Sequence, residues 1–137
     1  MLKPTDFIGE WSLDRQITDK QAAQAGQMKG RAVFTELAAD RLRYDETGTL
    51  QMGQGPQMAA TRSYIWVFTE TGVDMQFADG GPFHSFVPQG YVSGTDHLCG
   101  EDTYTVRYDF VHWPRWRAVW VVNGPRKNYT AITEFLR

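Results

Sequence analysis

The 137-residue sequence predicts an all-β protein, a closed antiparallel up-and-down barrel of eight to ten strands. Three observations predict it. Apolar and polar residues alternate in segment after segment, as in strands with one buried face; aromatic and β-branched content is high; and helical periodicity is nearly absent. Sequential strands with short turns favour the up-and-down order, and closure removes edges that would pair with other chains. A two-sheet sandwich is the rival arrangement.

The first strand runs through Phe7-Ile8-Gly9-Glu10-Trp11-Ser12-Leu13-Asp14-Arg15-Gln16-Ile17, odd positions inward. Within Lys20 to Gly26, Gln21-Ala22-Ala23-Gln24-Ala25 is a candidate helical turn. A second strand, Met28 to Leu37, puts Gly30, Ala32 and Phe34 on one face. A third, Arg41 to Met52, aligns Leu42, Tyr44, Glu46 and Leu50, and a fourth, Met58 to Glu70, aligns Ala60, Arg62, Tyr64, Trp66 and Phe68. Val73, Met75 and Phe77 lead through the turn Asp79-Gly80-Gly81-Pro82 into Phe83-His84-Ser85-Phe86, a hairpin. Residues 88–100 carry Pro88, Gly90, Gly94 and Gly100 with little periodicity and form the longest expected loop. A strand from Asp102 to His112 holds Tyr104, Val106, Tyr108 and Phe110 in register before Trp113-Pro114 breaks it. Trp116, Ala118, Trp120 and Val122 resume the alternation, and Asn123-Gly124-Pro125 turns the chain into a last strand, Tyr129 to Arg137. No linker or repeat intervenes, so residues 1–137 are expected to form one domain.

Composition narrows the function classes. With 42% apolar and 22% charged residues the chain suits one hydrophobic core, and a net charge of −2 lacks the basic footprint of a nucleic-acid binder. No run approaches the roughly 18 apolar residues of a membrane span. The start lacks a signal-peptide core, and Cys99 as the single cysteine excludes an internal disulfide. The expectation is a cytoplasmic monomer or homodimer with no nucleic-acid or membrane partner. Charge is uneven: residues 63–106 hold six acids and no Lys or Arg, whereas residues 107–137 hold six Lys/Arg and two acids. Either adjacent strands complement each other, or the C-terminal third builds an anion-attracting face.

Gly9-x-Trp11 at the start of the first strand resembles the calycin signature of lipocalin-like barrels. That resemblance implies a tryptophan packed across the closed end and covered by a basic residue from the far end of the chain, here Arg137 or Arg126. Over nearly its whole length the chain also resembles a bacterial family of small uncharacterised proteins. The matching pieces are Gly30-x-Ala32-x-Phe34, Leu42-x-Tyr44-x-Glu46-x-Gly48-x-Leu50, Ala60-x-Arg62-x-Tyr64-x-Trp66, Asp79-Gly80-x-Pro82-Phe83-His84, His97-x-Cys99-x-x-Asp102-x-Tyr104 and Gly124-Pro125-x-Lys127-x-x-Tyr129. Gly81 stands where the resemblance implies a basic residue, so an anion contact there is not expected.

Three charged residues, Arg15, Glu46 and Arg62, share the inward parity with Trp11, Tyr44, Tyr64 and Trp66. A buried unpaired charge costs several kcal/mol, so they must pair, reach water or meet a ligand. Either they form an Arg–Glu–Arg network near a barrel mouth, or the arginines hold a carboxylate or phosphate while aromatic rings line an apolar pocket. His84, His97, Cys99 and His112 cluster in sequence, but His97-x-Cys99 is not a standard zinc pair, and hydrogen-bonded or packing roles are expected. Cys99 as a nucleophile is disfavoured by neighbouring Glu101 and Asp102, which raise a thiol pKa. Trp116 and Trp120 share the inward parity and read as core rather than as a stacking platform. No catalytic motif, metal site or cofactor is expected.

The leading expectation is a barrel that binds a small amphipathic or anionic ligand through Arg15, Tyr44, Glu46, Arg62, Tyr64, Trp66, Phe83, His84, His97, Tyr104, Tyr108, Trp120 and Lys127. The alternatives are a small enzyme using Tyr104 with His84 or His97 at the barrel mouth, and an interaction module presenting Arg115 and Arg117 to an acidic partner.

Overall fold

Alternation along the chain becomes one antiparallel sheet in the computed structural model, which describes residues 1–137. A four-residue helix, α1 (Pro4–Phe7), precedes β1 (Gly9–Asp19), β2 (Gln24–Ala38), β3 (Arg41–Met52), β4 (Met58–Phe68), β5 (Val73–Phe77), β6 (Pro82–Phe86), β7 (Tyr91–Ser93), β8 (His97–Cys99), β9 (Asp102–Asp109), β10 (Trp116–Asn123) and β11 (Asn128–Leu136). The strand order is β6-β5-β4-β3-β2-β1-β11-β10-β9-β7, with β8 also on β9, so the first and last long strands meet and the sheet curls into a barrel. The join is antiparallel from Ser12 opposite Leu136 to Asp19 opposite Tyr129.

The barrel is nearly closed. No strand ladder runs from β6 to its neighbour across the gap; Ser85 and Thr95 bridge it, Thr95 N donating to the Ser85 carbonyl and Ser85 N to Thr95 Oγ1, each at 2.8 Å. Inside the seam, Phe86 stacks on Tyr108 with ring centres 4.1 Å apart.

Inward parity holds along β3, where Leu42, Tyr44 and Glu46 are buried between exposed Arg41, Arg43 and Thr47. Close approach of β2 and β3 at the Gly30–Gly48 pair needs both glycines, because a Cβ at Gly30 would collide with the Thr47 carbonyl. Gly9 sits at φ +115°, a conformation side-chain-bearing residues avoid, and there the chain turns from α1 into β1.

Four expectations are corrected. The 88–100 stretch is not a loop throughout, because β7 and β8 form two halves of an interrupted strand along β9, joined by Gly94 N donating to the Val106 carbonyl. Each is only three residues long, too short for a side-chain period to be read. Lys20 to Gly26 holds a turn, with Ala23 at φ +52° and Asp19 Oδ1 accepting from Ala22 N, and β2 already begins at Gln24. The strand expected from Asp102 to His112 stops at Asp109. Helix α1 was not expected: Pro4 opens it, and Asp6 Oδ2 accepts from the Lys3 backbone N at 2.7 Å.

Turns alternate between the two ends of the barrel. At one end Trp11 packs against Trp113 and Trp116 and donates through Nε1 to the Phe7 carbonyl, while the Arg137 guanidinium lies 4.0 Å over its ring. Arg137 also donates to the carbonyls of Ile8 and Asp6. Of the two basic residues the resemblance left open, Arg137 is therefore the cover. The other end is where the charged and tyrosine side chains gather.

Candidate ligand cavity

A cavity of about 620 Å³ occupies the end opposite Trp11. Its walls come from β1, β3, β4, β5, β6, β8, β9, β10 and β11. Ile17, Val122 and Ala131 form an aliphatic side, and Phe77, Phe83, Tyr64 and Trp120 an aromatic one. Arg62 points from inward parity into this space, yet its side chain is exposed rather than buried. Beneath lies a void of only about 40 Å³, bordered by Arg15, Tyr44, Glu46, Trp66 and Tyr108. Arg62, Tyr64, Phe83 and Trp120 border both spaces.

The three inward charges separate by depth. Arg15 and Glu46 form a buried pair, 11% and 2% exposed, with Nη1 2.8 Å from Oε2 and Nη2 donating to Oε1 at 3.1 Å. Arg15 Nε donates to Thr133 Oγ1 at 2.8 Å, and the Tyr44 hydroxyl donates to Glu46 Oε1 at 3.3 Å. Burial, then the neighbouring Glu46 charge, hold the Tyr44 phenol well above its ordinary pKa, so it stays a donor. Glu46 Oε2 faces the guanidinium without a hydrogen bond aligned on it. Arg62, by contrast, has no carboxylate within 4.0 Å, so the expected Arg–Glu–Arg network contains only one arginine. Register places Arg62 directly opposite Glu46, but Glu46 is already taken by Arg15.

Around Arg62 stand the phenols of Tyr64 and Tyr129. Burial raises the pKa of Tyr64 while the Arg62 charge opposes it, and burial followed by the nearby Tyr104 raises that of Tyr129. Desolvation acts against the Arg62 charge, but Tyr64 and Glu46 outweigh it, leaving its pKa above the ordinary arginine value. Arg62, Tyr64 and Tyr129 therefore present hydrogen-bond donors at neutral pH.

The remaining expected residues divide. His97 and Tyr104 line the cavity. Lys127 does not; its Nζ donates to the Tyr104 hydroxyl at 3.1 Å and pairs with Asp102 at 3.4 Å, so it holds a wall residue from outside. His84 borders neither space. It is buried, with Nε2 2.6 Å from the Tyr108 hydroxyl and Nδ1 unpartnered, and burial and then the nearby His97 push its pKa down to about 3. No hydrogen bond joins Tyr104 to either histidine, because Tyr104 is engaged by Lys127 and His84 by Tyr108. His84, His97 and Cys99 form no metal-ligand cluster; no three His, Cys, Asp or Glu side chains converge anywhere in the chain. Arg115 and Arg117 are turned to a shared carboxylate, Glu134, at 3.4 and 3.3 Å.

Sequence reasoning missed Ile17, Asp19, Met52, Phe77, Cys99, Val122, Tyr129 and Ala131 as wall residues. For Tyr129 the signal was present: it starts the inward series Tyr129, Ala131, Thr133, Phe135 of the last strand.

A model of a family of unknown function, DUF6314, matches residues 7–137. Among solved structures, the S-type phycobiliprotein lyase of Guillardia theta is 10% identical, with 98% of this chain and 89% of that chain covered at a TM-score of 0.71. A protein of unknown function from the DUF3598 family of Nostoc punctiforme is 11% identical at a TM-score of 0.61, the match covering 98% of this chain and 48% of that one. A redesigned β-barrel bound to DFHBI is 12% identical, with coverage of 98% and 97% and a TM-score of 0.50. At such identities the likeness is one of fold. No curated protein sequence matches. The chain belongs to the DUF6314 family.

Proposed function

We propose that this member of the DUF6314 family is a binding barrel that takes an amphipathic small molecule into its open end, with the anionic part of the ligand on Arg62. One observation carries the reading. Arg62 is a permanent cation without a carboxylate partner, and it faces a cavity of about 620 Å³ walled mainly by aromatic and aliphatic side chains. Apolar walls with a few convergent polar groups, in a volume of several hundred Å³, are the usual form of a small-molecule site. The hydroxyls of Tyr64 and Tyr129 add donors beside the guanidinium, a combination suited to a carboxylate, sulfonate or phosphate. Two barrels of similar fold support the reading by analogy: one is a phycobiliprotein lyase, and the other is bound to DFHBI. The chain has no helix long and apolar enough to cross a membrane.

The test uses 1-anilinonaphthalene-8-sulfonate, an anion with an aromatic body, titrated by fluorescence into the native protein and into Arg62→Met. The native protein should bind one probe, and the variant should bind about tenfold or more weakly, as expected for a lost charge-assisted hydrogen bond, with a Tm within about 2 °C of the native value. A large fall in Tm with unchanged probe affinity would make Arg62 structural and overturn the reading. Native mass spectrometry of protein purified from its own host then identifies any ligand retained.

A further inference from the structure

The cavity and the smaller void beneath it are one lumen divided by a bar of aromatic rings. Phe83, from β6, lies nearly parallel to Trp120 of β10, with centroids 5.1 Å apart and planes 5° apart, and also stacks on Tyr64 of β4 at 5.4 Å and 23°. In the strand order, β4 and β10 lie five steps apart, on opposite sides of a ten-stranded ring, with β6 between them across the seam. Tyr64, Phe83 and Trp120 therefore span the lumen. The same three residues, with Arg62, border the large cavity on one side and the Arg15–Glu46 pair on the other. A void of about 40 Å³ has room for about one water, so nothing larger sits below the bar while Phe83 is in place.

We infer that Phe83 is the specificity-determining residue of this cavity: it is the floor that limits how deeply a ligand enters and keeps the ligand's anionic end on Arg62, away from Arg15. The inference rests on the reading of the cavity as a ligand site. Phe83 is the member whose loss joins the two spaces, because it is the ring that touches both of the others. Arg15 beneath it is already committed to Glu46 and Thr133, so a second anion reaching it would compete with Glu46 for the same guanidinium.

The test is a series of straight-chain alkyl carboxylates from six to sixteen carbons, each displacing 1-anilinonaphthalene-8-sulfonate. In the native protein affinity should rise about fourfold per added methylene while the chain remains enclosed and then level off. In Phe83→Ala the anionic end sinks below the former floor, and the levelling point should move to longer chains with the initial slope unchanged. If Phe83→Ala does not fold, Phe83→Leu, which removes the flat ring and retains apolar bulk, carries the test with a smaller shift in the same direction. Coincident levelling points in the native protein and the folded Phe83 variant overturn the crossbar while leaving the ligand site standing. A native protein that displaces no probe with any chain length defeats the ligand reading itself, and the floor with it.

Discussion

The two ends of this lumen are built from the same kinds of side chain and end in opposite states. At the Trp11 end, Phe7 reaches in from α1 and meets Phe34, Trp66, Phe68, Phe110, Trp113 and Trp116 with ring centres 5.0 to 6.1 Å away. Trp116 stacks on Phe135 at 3.8 Å. Packing here even outranks polar satisfaction, since the indole nitrogens of Trp66 and Trp116 are buried without partners. At the other end the rings named are fewer, Tyr64, Phe77, Phe83 and Trp120; they face Ile17, Val122 and Ala131, and no residue from outside the barrel enters the space. An element beyond the strands supplies the plug at one end and is lacking at the other.

The sharpest way to break this comparison is to remove one ring from each end. Phe7→Ala should cost about 3–5 kcal/mol in urea unfolding, because it empties a fully enclosed site. Phe77→Ala, half-buried beside an existing cavity, should cost about 1 kcal/mol. Equal losses would mean that the open end is packed in solution.

A second prediction locates the depth at which water stops. His84 adjoins the half-buried Phe83 but is itself buried, with its folded pKa lowered to about 3 from an ordinary 6.5. Between those values the unfolded chain binds a proton that the folded chain does not, so stability is complete above pH 6.5 and declines as pH falls. From pH 6.5 to 4.5 the loss attributable to His84 should be about 2 kcal/mol, read as the difference in pH dependence between native protein and His84→Phe. Identical profiles would place water at His84 and move the floor of the open end deeper. A third prediction concerns the outer face of the plug, where Arg137→Met removes the cation over Trp11 and two hydrogen bonds to the chain entering β1. A loss of about 1–2 kcal/mol is expected, with probe binding at the open end unchanged.

Local pattern made much of the barrel legible. The third strand is read from Arg41 to Met52 by alternation alone, and Gly9-x-Trp11 marks the shut end. The charged trio was legible as an anomaly but not as a site. Arg15 and Arg62 are indistinguishable by parity, yet one is buried against Glu46 and the other faces the cavity. His84 and His97 are likewise near in sequence, and only His97 lines the cavity. Strands β7 and β8 left no trace because each is only three residues long, too short for an alternating period to show.

The sequence by itself determined which side of the long strands faces inward, since that needs only the two-residue period of an extended chain. It determined turns such as Asp79-Gly80-Gly81-Pro82 and Asn123-Gly124-Pro125, and the resemblance carried by Gly9 and Trp11 marked which end is shut. Only the tertiary structure decided height along the barrel axis. The offset of β1 against β11 and of β3 against β4 sets which inward residues share a level, and those offsets are relations between segments far apart in the chain. Height is why Arg137 rather than Arg126 covers Trp11, why Glu46 belongs to Arg15, and why Arg62 is left facing an open space.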